Sequence, residues 1–275
     1  MVDLSLSEEQ TAFRALAREF LDREAVPYRT QWDRDESVDL AIIPKMAEIG
    51  FFGLTIPEEY GGLGGDYLTY SLAMEELGRA DSALRGIVSV NSGLVGKSIL
   101  FHGTEEQRQE WLPQLATATK LGCFGLTEPD IGSDAGNLTT RAVRDGGDYL
   151  ITGQKLFITN GTWADVALIM ARTGGEGPRG ISAFLVPTDS PGFEAREIKG
   201  KLGLRGQATA ELFLSDVRVP ASAMLGGADG EGQGFKIAMS TLDKGRLAVA
   251  SGCVGIVQGC LETSVAFAKE RTQFG

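Results

Sequence analysis

Histidine is almost missing: His102 is the only one among 275 residues. A histidine-based nucleophile triad and a histidine-rich metal site are thereby excluded. His102 itself falls at the end of a helical stretch and is read as a helix C-terminal cap. Cysteine is nearly as scarce. Cys123, Cys253 and Cys260 form no C-x-x-C pair and leave one over, which points to a reducing compartment and buried thiols rather than disulfides. Positive charge is short as well, with 26 Lys and Arg against 37 Asp and Glu and a net charge of -11. That field repels nucleic acid and anionic lipid. An anionic small molecule would need a local cluster of Arg or Lys. Long apolar runs are also lacking, and Val166 to Ala171 is far too short to span a bilayer. Met1-Val2-Asp3-Leu4 looks like neither a secretory signal nor a transit peptide. The expectation is a cytoplasmic protein without membrane insertion, with a mature mitochondrial matrix protein left open.

What is present falls into three blocks. Ser7-Glu8-Glu9-Gln10 reads as a capping box, followed by Phe13, Leu16 and Phe20 at helical spacing. Pro27 ends that helix. Asp39 caps a second, closed by Gly50, and Tyr60 to Gly65 is a hinge-like loop. A third helix is predicted from Asp66 to about Arg79 and a fourth from Asp81 to Phe101, stopped by Gly103. Thr104-Glu105-Glu106-Gln107 is a second capping box and opens a fifth helix. Residues 1–118 are thus an all-helical domain.

Residues 119–229 read differently. Leu121–Leu126, Leu138–Arg144, Tyr149–Ile158, Val166–Ala171, Ile181–Val186 and Ala210–Val219 are rich in β-branched and aromatic residues, with Gly, Asp and Pro clusters between them. No helical stretch separates them, which argues for an antiparallel sandwich or barrel rather than a parallel sheet. From residue 230 helical spacing returns and runs to Gly275. Its Gly- and Ala-rich flank (Ala248, Ala250, Gly252, Gly255, Gly259) requires close packing against other helices. The overall expectation is an α+β chain: a helical domain, a β domain, and the start of a C-terminal helical bundle that is incomplete.

Several motifs fail. Gly96-Lys97-Ser98 lacks the first glycine of a phosphate-binding loop, since position 91 is Asn91. Gly230 to Gly234 lacks the dinucleotide spacing and follows no predicted strand. There is no G-x-S-x-G elbow. The acid pairs Glu58-Glu59 and Glu75-Glu76 are read as solvated surface, not as a glycosidase pair. One stretch does better. Phe124-Gly125-Leu126-Thr127-Glu128-Pro129 and the turn through Ser133 expose hydroxyls and backbone N–H groups beside small residues.

Read together with Phe157-Ile158-Thr159-Asn160, Asp243-Lys244-Gly245-Arg246, Leu202-Gly203-Leu204-Arg205 and Arg271-Thr272-Gln273-Phe274-Gly275, the whole chain resembles the acyl-CoA dehydrogenase family of flavoproteins. The resemblance implies FAD between the β domain and the helices. Phe124, Leu126 and Thr127 would line the flavin ring, and Ser133 would sit where FAD meets the acyl-CoA. Phe157, where many relatives carry Trp, and Thr159 would cover the other side, with the Thr159 hydroxyl near N5. Asp243 and Arg246 would hold the CoA side. Arg271 and Phe274 would reach the FAD of a neighbouring subunit, implying a homodimer or homotetramer. The reaction implied is α-proton abstraction by a carboxylate and β-hydride transfer to N5, with electrons passing to an electron-transferring flavoprotein in fatty acid or amino acid catabolism. No metal site is expected.

The family's base is usually a Glu beyond the point where these residues stop, and a minority place it at the position of Gly245. The expectation is therefore an incomplete chain whose base lies C-terminal to Gly275, or a truncated and catalytically dead one, with Glu128 structural. Arg85, in Ser82-Ala83-Leu84-Arg85, reads by itself as a charge on a helix surface. The segment also resembles that of glutaryl-CoA dehydrogenases, in which an Arg binds the distal carboxylate of the substrate. Two alternatives stay open: an oxidase or monooxygenase of the same fold, and a non-catalytic scaffold.

Overall fold

The computed structural model describes residues 5–274; the Met1–Leu4 reading and Gly275 lie outside them. Local sequence signals set the helix starts. Helix α1 (Glu8–Glu24) opens on a reciprocal capping box, in which the Gln10 amide donates to Ser7 Oγ at 3.1 Å and the Ser7 amide to Gln10 Oε1 at 3.0 Å. Helix α2 (Arg29–Asp35) is short, polar and buries only Trp32, so it leaves no periodic signal. Helix α3 is Ile42–Glu48. Asp66 caps α4 (Tyr67–Ala80) by accepting from the Thr69 amide at 2.7 Å. The second capping box, Thr104 with Gln107, opens α7 (Glu105–Ala116).

The stretch expected as one helix from Asp81 to Phe101 is three pieces: α5 (Ser82–Val88), a π-helix (Ser89–Gly96) and α6 (Lys97–His102). The wider turn has visible partners. Asn91 donates to Leu115 O at 2.9 Å and accepts from the Gly122 amide at 2.8 Å, and Ser92 Oγ donates to Phe52 O. These side-chain bonds hold the helix to its surroundings where Gly93 and two serines supply little helix propensity.

The strands are β1 (Gly122–Gly125), β2 (Arg141–Asp145), β3 (Asp148–Thr159), β4 (Val166–Arg172), β5 (Ile181–Pro187), β6 (Phe193–Glu197) and β7 (Thr209–Pro220). They form a mixed sheet in the order β1-β4-β2-β3-β7-β6, with β5 paired to β4. Four pairings are antiparallel, as expected, while β1·β4 and the single β2·β4 contact are parallel. The β1 and β2 strands contact β4 at different ends: β1 spans Val166 to Ile169 and β2 meets Arg172. The chain leaves the sheet between them, carrying residues 126–140 out as a loop. The β6 strand alternates half-buried and exposed positions at the sheet edge, and its sequence Phe-Glu-Ala-Arg-Glu gives no apolar run to detect.

Helix α8 (Gly234–Glu270) crosses the helical part. A methyl group at Gly78 would sit 2.2 Å from Gly252 O, and one at Gly255 would sit 1.8 Å from Glu75 O. The backbones of α4 and α8 therefore touch, which is the close packing the small-residue flank requires. Among the described residues α8 is the one helix long and apolar enough to cross a bilayer by length and composition.

Three expectations are corrected. Glu76 is 1% exposed, not solvated; its carboxylate is held by Arg14 (3.0 Å) and Arg18 (2.9 Å) of α1 and by Arg79 (2.9 Å) of its own helix. Cys123 is buried, but Cys253 and Cys260 are exposed on α8. His102 does not cap its helix; the helix is capped by Gly103, and the ring lies 3.2 Å from Ser240 Oγ of α8. Its pKa is pushed down by burial and by Lys244 and Lys236.

Candidate cofactor and substrate cleft

The loop that leaves after β1 is fixed by one buried carboxylate. Glu128 Oε2 accepts from the Thr139 amide and hydroxyl, both at 2.7 Å, and Oε1 accepts from the Thr140 amide and Lys155 Nζ, both at 2.9 Å. Lys155 is fully buried and also donates to Leu126 O at 3.2 Å. Burial pushes the Glu128 carboxyl up, but the Lys155 charge and these hydrogen bonds outweigh it and hold the pKa at about 2. Every acceptor site of this carboxylate faces a protein donor, so Glu128 is structural. It closes the Thr127–Ser133 turn against the chain entering β2 and against β3.

The β3 strand supplies the opposite wall. Its pairing with β7 slips between Lys155 and Ile158, an extra residue that makes a bulge. Phe157 lies in that bulge in the left-handed region at φ 59, and its ring is 63% exposed. A large aromatic group in such a conformation is disfavoured unless its surroundings impose it. Here the Leu156 amide bonds Thr127 O at 2.8 Å and the ladder resumes at Ile158, so the ring is turned out of the sheet toward the Thr127 loop. Thr159 ends the strand opposite Thr209.

The two walls enclose a cavity of about 370 Å³ lined by Phe124, Leu126, Thr127, Ser133, Phe157, Thr159 and Arg246. A second cavity of about 300 Å³ adjoins it, sharing Val90, Leu94, Thr159, Leu242 and Arg246. It continues between α5 and α8 to Arg85, Gln207 and Gly245. The combined cleft has apolar walls and a few convergent hydroxyls, the make-up of a site for a flat ring with a polar edge. No Asp or Glu among the described residues lines either cavity.

Other residues fall elsewhere. Asp243 lines neither cavity; it is exposed and ion-paired with Arg246. Arg271 follows the end of α8 and Phe274 is fully exposed, and neither lines the cleft. Arg85 is not on a surface. It is 8% exposed and, among the described residues, bonds only hydroxyls, Ser82 Oγ at 3.3 Å and Ser89 Oγ at 3.2 Å, with no carboxylate partner. Burial pushes its pKa down. Gly252 makes room for it, since a methyl there would lie 2.4 Å from Arg85 Cδ. Sequence reasoning missed Val90, Leu94, Leu242 and Gln207. The first two project from the π-helix, whose only sequence trace is a run of Ser, Asn and Gly inside an expected helix.

Three family models match in order: the N-terminal domain of acyl-CoA dehydrogenase over residues 7–119, its middle domain over 123–217 and its C-terminal domain over 232–275. The short-chain specific acyl-CoA dehydrogenase of Clostridium acetobutylicum is 42% identical over 275 residues, covering 100% of this chain and 72% of its own length. A structure described as the electron transferring flavoprotein of Acidaminococcus fermentans, in the context of flavin-based electron bifurcation, superposes with a TM-score of 0.96 at 43% identity, covering 100% of this chain and 72% of that one. Glutaryl-CoA dehydrogenase of Mycobacterium smegmatis in complex with FADH2 superposes with a TM-score of 0.91 at 40% identity, over 98% of this chain and 67% of that one.

Proposed function

Because the chain belongs to the acyl-CoA dehydrogenase family, we propose that the protein binds FAD in the cleft and desaturates an acyl-CoA thioester between its α and β carbons. The observation that carries this reading is the convergence of Phe124, Leu126, Thr127 and Ser133 from one segment and Phe157 and Thr159 from another on one cavity. The residues fit the cofactor: Phe124, Leu126 and Phe157 offer apolar faces to a planar ring, and Thr127, Ser133 and Thr159 offer hydroxyls to its polar edge. The bound flavin supplies the hydride-accepting centre of the reaction.

The chain's own residues position the substrate. Ser133, on the loop wall of the cavity, orients the thioester, and Arg246 supplies the local cation that an acidic protein needs for an anionic CoA. Asp243 acts by holding Arg246. The carboxylate that removes the α-proton comes from outside the described residues, since none of them places an Asp or Glu in the cleft. Arg271 and Phe274 act across a homodimer or homotetramer interface on a neighbour's flavin. Electrons leave to an electron-transferring flavoprotein, a partner supported by the Acidaminococcus neighbour, and the protein works in the cytoplasm.

A second reading narrows the substrate. Arg85 is a buried cation on the wall of the second cavity, without an anionic partner among the described residues. A distal carboxylate on the acyl chain would supply that partner, so the substrate is a dicarboxylyl-CoA. The test is the visible spectrum of the full-length protein under anaerobic conditions with a panel of acyl-CoAs. The expected result is a flavin band bleached by acyl-CoA, most completely by a dicarboxylyl-CoA. Bleaching with oxygen consumption and no transfer to an electron-transferring flavoprotein would make it an oxidase. Absence of bound flavin would make it a scaffold.

A further inference from the structure

We propose that Gln207 is a positioning residue that aims the Thr159 hydroxyl, as a donor, into the cleft; this rests on the cleft being the flavin site. Gln207 is 5% exposed and its Nε2 donates to Thr159 Oγ1 at 3.1 Å. Its other amide atom, Oε1, is buried without a partner among the described residues, an expensive arrangement unless something else is gained. The amide is wedged: Oε1 lies against α5 at Gly86, where an added methyl group would come within 1.7 Å of it. The backbone of Gln207 is fixed too. Its amide donates to Leu204 O at 3.1 Å, and its carbonyl accepts from Lys201 Nζ at 2.8 Å. The next residues join the ladder that carries Thr159, through the Asn160 amide to Ala208 O at 3.0 Å and the pair Thr159–Thr209. Gln207 and Thr159 are therefore held as one unit.

A threonine hydroxyl has one hydrogen and two lone pairs. With one lone pair occupied by Gln207 Nε2, the hydrogen is free to point elsewhere, and the open side of Thr159 is the cleft. Without that constraint the hydroxyl rotates and turns either its hydrogen or its oxygen toward the ligand. A carboxylate at position 207 reverses the arrangement, because it can only accept and takes the hydrogen for itself.

The test uses the full-length protein with FAD bound, reading the visible spectrum and the two-electron reduction equilibrium by titration against a reference dye. Gln207→Met fills the same space without a donor, and Gln207→Glu inverts the polarity. Gly86→Ala, which leaves Gln207 in sequence but displaces its amide, is a third route. Each is expected to change the reduction equilibrium roughly fivefold and to shift the flavin bands, as loss of one directed hydrogen bond does. The three changes should vanish in a Thr159→Val background, the signature of coupling rather than general damage. If Thr159→Val alters the flavin while all three changes leave it as in the wild type, the role of Gln207 is overturned and the cleft reading survives. Additive effects in the Thr159→Val background overturn it equally. If Thr159→Val itself leaves the flavin unchanged, the cleft reading fails and takes this inference with it.

Discussion

The loop after β1 and the end of α5 each bury a charge near the cleft, and they treat it in opposite ways. Glu128 receives four hydrogen bonds, one of them from the buried Lys155. Arg85 receives no counter-charge and bonds two serine hydroxyls. Desolvating either charge costs several kcal/mol in order of magnitude. In the first case the protein offsets that cost with its own groups, which is what a structural knot requires. In the second the protein supplies only two hydroxyls, and the proposed reading gives the rest of the offset to the substrate. The satisfied charge fixes the turn that lines the cleft, and the unsatisfied one is the charge proposed above to meet the substrate's distal carboxylate. Gln207 repeats the contrast on a smaller scale, with one end of its amide engaged and the other without a partner.

The comparison predicts opposite outcomes for removing each charge. Glu128→Ala strands Lys155 in the interior and should destabilise the protein by about 3–5 kcal/mol, measured by denaturant unfolding of the full-length protein. The same knot sets the acid limb of stability. Its folded pKa of about 2 lies below the ordinary 4.5, so between those values the unfolded chain binds the proton first. The contribution is complete above about pH 4.5 and is lost as pH falls toward about 2. Unfolding curves recorded across that window should be flatter for Glu128→Gln than for the wild type.

Arg85→Leu should instead leave stability within about 1 kcal/mol, because it frees only two hydroxyl oxygens and strands no buried counter-charge. Its effect belongs in catalysis: kcat/KM for a dicarboxylyl-CoA should fall by roughly a hundredfold, mostly through KM, while an uncharged acyl-CoA of similar length is spared. Equal loss on both substrates, or a collapse of stability like that of Glu128→Ala, would erase the contrast. The smallest effect is expected at Phe157. Glycine there relieves the φ 59 conformation of an exposed side chain, so Phe157→Gly should leave the melting temperature nearly unchanged and weaken FAD binding by roughly tenfold through loss of the ring contact. Fluorescence titration of the apoprotein with FAD measures it.

How much of this could be read in the sequence depends on the range of the interactions. Both capping boxes and the Asp66 cap are contacts over three residues, and they are visible in the letters. The hydroxyls of Thr127, Ser133 and Thr159 stood out because they follow apolar runs and turn residues. The π-helix could not be read, because Asn91 and Ser92 reach Leu115, Gly122 and Phe52, far away in the chain. The parallel pairing of β1 with β4 is equally non-local. Arg85 is packed against Gly252 of α8 and Glu76 is held by Arg14 and Arg18 of α1, and no local pattern around either residue encodes those distant neighbours. Gln207 was overlooked for the same reason, since its meaning comes from Thr159, 48 residues earlier.

The central claim is that one cleft, built by the Glu128 turn and the Phe157 bulge, holds the flavin. A crystal structure of the full-length protein with FAD bound tests it most directly. The account predicts the flavin ring between the Phe124–Thr127 segment and Phe157, with the Thr159 hydroxyl in hydrogen-bonding contact with the ring. A ring found outside that cleft, or one that leaves Thr159 and Phe157 untouched, would contradict it.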